Sequence, residues 1–211
     1  MKNGKDKLIV AIDTDNFDKA KELIDQLEDS VDIFKVGLEQ YVATKGKTLE
    51  YLKEKGKKVF LDLKFHDIPN TMKSAVRAAV RDNVWLMTIH VSDLEGMRQC
   101  ALVAKEEAAK LNIEKPIIVG VTVLTSLSNE DLQDIGCNMT TEELVIKRAK
   151  LAQKAGIDGI VCSAKEVDRI VEVCGKDFVT VCPGIRPSSS SAGDQKRVVT
   201  PAEAIKMVLN I

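Results

Sequence analysis

The sequence predicts an α/β protein of the TIM-barrel, (β/α)8, class, with about seven strand-helix units and no eighth strand. Three observations predict it. Short apolar runs alternate with longer segments of helical periodicity from one end of the chain to the other. The runs are apolar on both faces, as strands of a parallel sheet covered on both sides must be. No Gly-rich dinucleotide fingerprint follows the first run, which favours a barrel over a doubly wound sheet, and right-handed crossovers make closure the usual outcome.

The first run is Leu8 to Ile12, ending at Asp13. It is followed by an amphipathic helix from Asn16 to Glu28, with Ala20, Leu23, Ile24 and Leu27 on one face. Asp13 reads either as a cap for that helix or as a functional carboxylate at a strand end. Val31 to Leu38 is the second strand and carries Lys35 among Ile33, Phe34, Val36 and Gly37. A lysine there either snorkels at an edge or has a partner. Tyr41 to Lys55 reads as one helix, closed by Gly56. Val59 to Phe65 is the third strand, and a helix from Pro69 to Asp82 buries Met72, Ala75, Val76, Ala79 and Val80.

Trp85 to Val91 is the fourth strand, with His90 near its end as either a packing or a catalytic residue. The long helix Leu94 to Leu111 leads to a fifth strand, Pro116 to Thr125, and then to a polar connection from Ser126 to Thr140. Connections of that length often bind something. A helix over Thr141 to Ala155, a short strand Gly159 to Cys162, a helix Ala164 to Val173 and a strand Phe178 to Cys182 complete the pattern. The Ser- and Gly-rich stretch from Pro183 to Arg197 reads as a loop that brings Arg186 and Gln195 to an anion, or as plain surface loop. A helix is expected over Pro201 to Leu209.

The third strand carries the chemistry. Asp62 and Lys64 are two apart, so a strand points them the same way, into a layer where side chains are normally apolar. Buried charges are costly unless paired. They form either a structural ion pair near solvent or a catalytic array at the carboxyl end of a strand, where α/β folds build their sites. If sequential strands pair, Lys35 joins them and Asp67 lies just beyond. Such an array suits chemistry in which negative charge appears on a carbon and a lysine delivers the proton.

Composition narrows the partners. With 45% hydrophobic and 30% charged residues and a formal net charge of -1, the chain has the makeup of one globular domain and no electrostatic footprint for nucleic acid or an anionic membrane. Cys100, Cys137, Cys162, Cys174 and Cys182 are widely spaced and form no C-x-x-C pair, so most of them read as small buried hydrophobes in a reducing compartment. The polar N-terminus runs straight into a strand, which predicts a cytoplasmic protein with no signal peptide or membrane span. No Walker loop, dinucleotide fingerprint or cluster of metal ligands appears, so no cofactor is expected.

The stretch Asp62-Leu63-Lys64-Phe65-His66-Asp67-Ile68-Pro69-Asn70-Thr71 resembles the signature of the orotidine 5'-phosphate decarboxylase family. The resemblance extends through Ala11-Ile12-Asp13, Phe34-Lys35-Val36-Gly37, Ile89-His90-Val91, Val121 to Ser126, Gly159 to Ser163, Pro183 to Pro187 and Gly193 to Arg197. It implies decarboxylation of orotidine 5'-monophosphate to uridine 5'-monophosphate, the last step of pyrimidine synthesis, in a homodimeric barrel without cofactor. By the same resemblance Lys64 protonates C6, Asp62 lies against the substrate carboxylate, and Lys35 bridges the ribose and the array. Asp67, Ile68 and Thr71 reach into the partner's site. Asp13 binds ribose hydroxyls, Thr125 the pyrimidine edge, and Arg186 and Gln195 the phosphate.

One departure from the family's pattern sets a further expectation. Family members carry an eighth strand ending in a Gly-Arg pair that grips the phosphate, and a final helix. The sequence reads as a single C-terminally incomplete domain over 1–211 without them, and loss of a charge-assisted contact costs about 1.5 to 3 kcal/mol. Weak or no activity is therefore expected of the chain as it stands, unless the natural protein carries a further C-terminal segment. The alternatives are a non-catalytic barrel fragment and a ketose-phosphate lyase of the same superfamily.

Overall fold

The computed structural model describes residues 7–186 and 200. Gln195 and the helix expected over 201–209 lie outside the described residues. The elements follow the order β1 (Ile9–Ile12), α1 (Phe17–Leu27), β2 (Ile33–Gly37), α2 (Leu38–Thr44), α3 (Lys47–Glu54), β3 (Lys58–Phe65), α4 (Pro69–Arg81), β4 (Leu86–His90) and α5 (Leu94–Leu111). Then come β5 (Ile117–Val121), α6 (Asn129–Asp134), α7 (Thr141–Lys154), β6 (Gly159–Val161), a 3-10 turn (Ala164–Glu166), α8 (Val167–Cys174) and β7 (Val179–Val181). The described residues form two compact units, 7–88 with Leu102–Ile117, and Ile89–Ala101 with 118–186.

In the first unit the strands lie in chain order from β1 to β4. The β1/β2 and β2/β3 pairs are parallel, with Ala11 opposite Lys35, Lys35 opposite Phe60, and Gly37 opposite Asp62. Ile12, Phe34, Val36, Val59, Leu61 and Leu86 are buried on these strands. Ala20 and Ile24 of α1 and Met72, Val76, Ala79 and Val80 of α4 bury the helix stripes that periodicity predicts, while Leu23, Leu27 and Ala75 are only half-buried. Asn16, not Asp13, caps α1, its side chain accepting the Lys19 amide at 3.0 Å. Pro69 opens α4 at its first turn, where a missing N–H costs nothing.

The single helix expected over 41–55 is two helices. Lys45 and Gly46 both take left-handed backbone, at φ 53° and 84°, and two such residues in succession end one helix and redirect the chain into the next. The interior Gly46 is the sequence signal for the break. The first of them, α2, also starts earlier than expected, at Leu38, directly after β2.

In the second unit β5, β6 and β7 run parallel in order, with Val119 opposite Gly159 and Gly159 opposite Val179. A Cβ on Gly159 would sit 2.2 Å from the Val179 carbonyl oxygen, so only glycine lets these strands meet. β5 is shorter than expected and ends at Val121; beyond it the Thr122 hydroxyl donates to the Val161 carbonyl at 2.8 Å. The polar connection is not structureless either. Ser128 and Asp131 form a reciprocal capping box that starts α6.

Glu107, on the part of α5 that belongs to the first unit, is almost fully buried and accepts a 2.6 Å bond from Arg81 Nε, with Arg77 and Lys110 each 3.8 Å away. The Arg81 bond, followed by the charges of Arg81, Lys110 and Arg77, holds its carboxyl below the usual 4.5. A lowered carboxylate contributes stability above its unfolded value and loses it as the pH falls through the folded value. Chemical denaturation should therefore find Glu107→Gln less stable than the parent chain at pH 7, with the difference shrinking as the pH falls below the usual carboxylate range. A difference that stays constant as the pH falls would mean that the side chain stabilises by packing alone.

Candidate active site

The first unit brings four charged side chains into one line. Asp13 follows the end of β1, Lys35 lies in β2, and Asp62 and Lys64 lie near the end of β3. Lys35 Nζ is 3.3 Å from Asp13 Oδ1 and 4.0 Å from Asp62 Oδ2, and Lys64 Nζ is 2.8 Å from Asp62 Oδ2. The charges alternate in sign along the line and sum to zero. Side-chain exposure falls from 69% at Asp13 to 21% at Lys35 and 13% at Asp62, then rises to 30% at Lys64. The array is thus shielded at its centre and open at both ends, and its central carboxylate faces two ammoniums.

Local backbone and a neighbouring hydroxyl shape this array. Lys64 adopts φ 50°, a left-handed conformation inside a strand, which costs of order 1 kcal/mol or more and persists only where surroundings hold it. Its amide donates to the Thr88 hydroxyl of β4 at 2.9 Å. That hydroxyl in turn donates to Asp62 Oδ1 at 2.9 Å, and Thr88 is fully buried. Gly37 closes β2 opposite Asp62, and a Cβ there would come within 3.1 Å of Lys35 Nζ. Its φ of -92° suits any residue, so the constraint is space for the ammonium. Gly37→Ala is expected to fold normally and to lower turnover several-fold, because a shift of a few tenths of an ångström in the Lys35 ammonium disturbs its spacing from Asp13 and Asp62. Turnover equal to the parent's would show that the lysine tolerates the shift.

Beyond β3 the chain turns through His66 and Asp67 into α4. Asp67 Oδ1 accepts the Ile68 amide at 2.7 Å, and Ile68 stays 67% exposed. A shallow depression of about 320 Å³ is lined by Lys64, His66, Asp67 and Thr71 with Leu63, Phe65, Met72 and Ala75. Asp67 and Thr71 therefore share this depression with Lys64.

Thr125 and Arg186 belong to the second unit. Thr125 is buried just past β5, and Arg186 donates to the Ile185 carbonyl at 3.0 Å. Among the described residues no helix is long and apolar enough to cross a membrane, and the five cysteines are free thiols. Burial, with the Asp93 carboxylate adding to it, pushes the Cys100 thiol up to about 12, which leaves it unreactive.

The family model described as "Orotidine 5'-phosphate decarboxylase / HUMPS family" matches residues 6–211. The chain belongs to this family. It is 47% identical over 206 residues to the orotidine 5'-phosphate decarboxylase of Moorella thermoacetica, a match covering 97% of this chain and 82% of that protein. The decarboxylase of Nostoc sp. is also 47% identical, over 96% of this chain and 86% of that one. Among solved structures, the orotidine 5'-phosphate decarboxylase of Lactobacillus acidophilus superposes with a TM-score of 0.78 at 32% identity, covering 95% of this chain and 85% of that one. An uncharacterized conserved protein from Geobacillus kaustophilus superposes with a TM-score of 0.82 at 30% identity, over 94% of this chain and 86% of that one. The fold is accordingly the α/β, TIM-barrel class that the strand-helix alternation predicts.

Sequence reasoning placed Lys35, Asp62 and Lys64 side by side and singled out Asp13, and the ion pairs bring all four together. It did not single out Thr88 or the space at Gly37. A threonine among Leu86, Met87 and Ile89 passes for an ordinary strand residue; only its buried hydroxyl, which must find partners, marks it.

Proposed function

We propose that this chain decarboxylates orotidine 5'-monophosphate to uridine 5'-monophosphate. The observation that carries the reading is the alternating line Asp13, Lys35, Asp62, Lys64, with separations of 3.3, 4.0 and 2.8 Å, in a chain of the decarboxylase family. In this reading the bond between C6 and the carboxylate breaks, carbon dioxide leaves, and the electron pair stays on C6. Lys64 Nζ supplies the proton that C6 takes up. The Lys64 ammonium stabilises the developing carbanion before transfer, because it is a fixed charge already placed where negative charge appears. Asp62 faces the substrate carboxylate and raises the energy of the bound ground state relative to a transition state that is losing that charge. Lys35, tied to both Asp13 and Asp62, sets the spacing of the two carboxylates. Its ammonium and Asp13 meet the ribose hydroxyls.

The rest of the substrate is assigned to the pyrimidine edge at Thr125 and to the phosphate at Arg186 and Gln195. Binding energy from that remote phosphate holds the ring in register with Lys64. The working form is a homodimer in the cytoplasm, with Asp67, Ile68 and Thr71 of each protomer completing the partner's site. Exposed Leu38, Val42 and Ile68, at 54%, 72% and 67%, support it, since Leu38 and Val42 lie one turn apart on α2, Ile68 directly precedes α4, and all three are apolar and exposed in the single chain. The test is ultraviolet absorbance of orotidine 5'-monophosphate incubated with the purified chain. Decay of the substrate spectrum to that of uridine 5'-monophosphate is the expected result. An unchanged spectrum from the folded chain and also from a version extended by the family's eighth strand-helix unit would overturn the reading.

A further inference from the structure

We infer that Thr88 is a positioning residue for this reaction, its single hydroxyl setting both the orientation of the Asp62 carboxylate and the backbone from which Lys64 projects. The inference rests on the decarboxylase reading for its kinetic consequence but on geometry for its substance. A hydroxyl has one hydrogen to give and lone pairs to accept with. In Thr88 the hydrogen goes to Asp62 Oδ1 at 2.9 Å, and a lone pair takes the Lys64 amide at 2.9 Å.

Two consequences follow for the array. With Oδ1 committed to Thr88, Asp62 presents Oδ2 to both lysines, at 2.8 Å from Lys64 and 4.0 Å from Lys35. The carboxylate is pinned against rotation, and the same oxygen serves both ammoniums. On the other side, the bond to the Lys64 amide secures that residue at φ 50°, which a lysine does not otherwise prefer. Thr88 is fully buried, and a valine of the same shape leaves no room at its position for a water to take over the hydroxyl's bonds. Its methyl and hydroxyl sit on a stiff β-branched side chain whose χ1 is restricted, which keeps the oxygen between its two partners.

The test compares Thr88→Val, which keeps the shape and removes the hydroxyl, with Thr88→Ser, which keeps the hydroxyl. Circular dichroism and thermal unfolding give the folded fraction of each, and kcat is expressed per folded molecule. Thr88→Val is expected to lose roughly 10- to 100-fold in kcat with KM within about threefold, and Thr88→Ser to recover most of it. A residue that only supports the fold would lower the folded fraction and leave kcat per folded molecule unchanged. Amide hydrogen exchange adds a readout free of turnover: the Lys64 amide should exchange faster in Thr88→Val than in the parent chain, while the amides of Val59 to Leu61 stay as protected as before.

The outcomes separate. If the parent chain turns over substrate but Thr88→Val matches it, or Thr88→Ser falls as far as Thr88→Val, the positioning role is wrong. If neither the parent chain nor its extended version turns over orotidine 5'-monophosphate, the decarboxylase reading fails, and the exchange rate at Lys64 still decides whether Thr88 holds that backbone. Unchanged exchange there would overturn the inference by itself.

Discussion

Replacing Lys64 by alanine is expected to lower kcat for orotidine 5'-monophosphate by at least about 1,000-fold, toward the upper range of what a positioned proton donor supplies. The variant should bind uridine 5'-monophosphate within roughly tenfold of the parent chain, because ribose and phosphate contacts come from other residues. Two losses combine in kcat. On the proposed mechanism the proton for C6 disappears, and so does the ammonium, 2.8 Å from Asp62 Oδ2, assigned to stabilise charge on the reacting carbon. Alanine at this position also meets a left-handed backbone without the pairing that the lysine brings, so the folded fraction must be measured alongside. Reaction of the parent chain in D2O should place deuterium at C6 of the product, as an exchangeable ammonium donor requires. A Lys64→Ala chain that keeps more than a tenth of the parent's kcat would sink the assignment of Lys64 as the acid.

That lysine was legible in the sequence for a physical reason. Asp62 and Lys64 interrupt a strand whose other positions are apolar, and charge inside such a strand demands a partner, so the pairing could be argued without coordinates. Lys35 was legible in the same way, and parallel pairing of consecutive strands was enough to place it beside them. Asp13 was ambiguous, because a carboxylate after a strand and before a helix suits a cap equally well; Asn16 takes the cap, and Asp13 is left to Lys35. What the sequence hid is the uncharged part of the site. Thr88 has the composition of any strand residue, and Gly37 that of any strand end. Their roles depend on what lies 3 Å away on a neighbouring strand, which periodicity does not report. The break at Lys45 and Gly46 failed for a different reason, since a helical pattern on both sides of a single glycine reads as continuous until two left-handed residues are seen together.

Asp62→Asn should lower kcat by about 100- to 1,000-fold, the usual size for removing one preorganised electrostatic contact, and should lower KM at the same time. The paired fall is the informative part. A residue that only held Lys64 and Lys35 in place would, on losing its charge, loosen the site and raise KM or leave it unchanged. A carboxylate that crowds the substrate's own carboxylate acts in the opposite sense. Two unit charges at 4 Å repel by about 4 kcal/mol at an effective dielectric of 20, and the two ammoniums beside Asp62 offset much of it. A residual of 1 to 2 kcal/mol corresponds to about 5- to 30-fold tighter substrate binding in the variant. Uridine 5'-monophosphate carries no carboxylate at C6, so its affinity should move much less than the substrate's. The ratio of the two affinities, measured in a background such as Lys64→Ala where turnover is slow, isolates the repulsion from any general loosening. If asparagine at this position weakens substrate and product alike, Asp62 serves only to space the lysines, and the driving force must come from Lys64 and from binding at the phosphate.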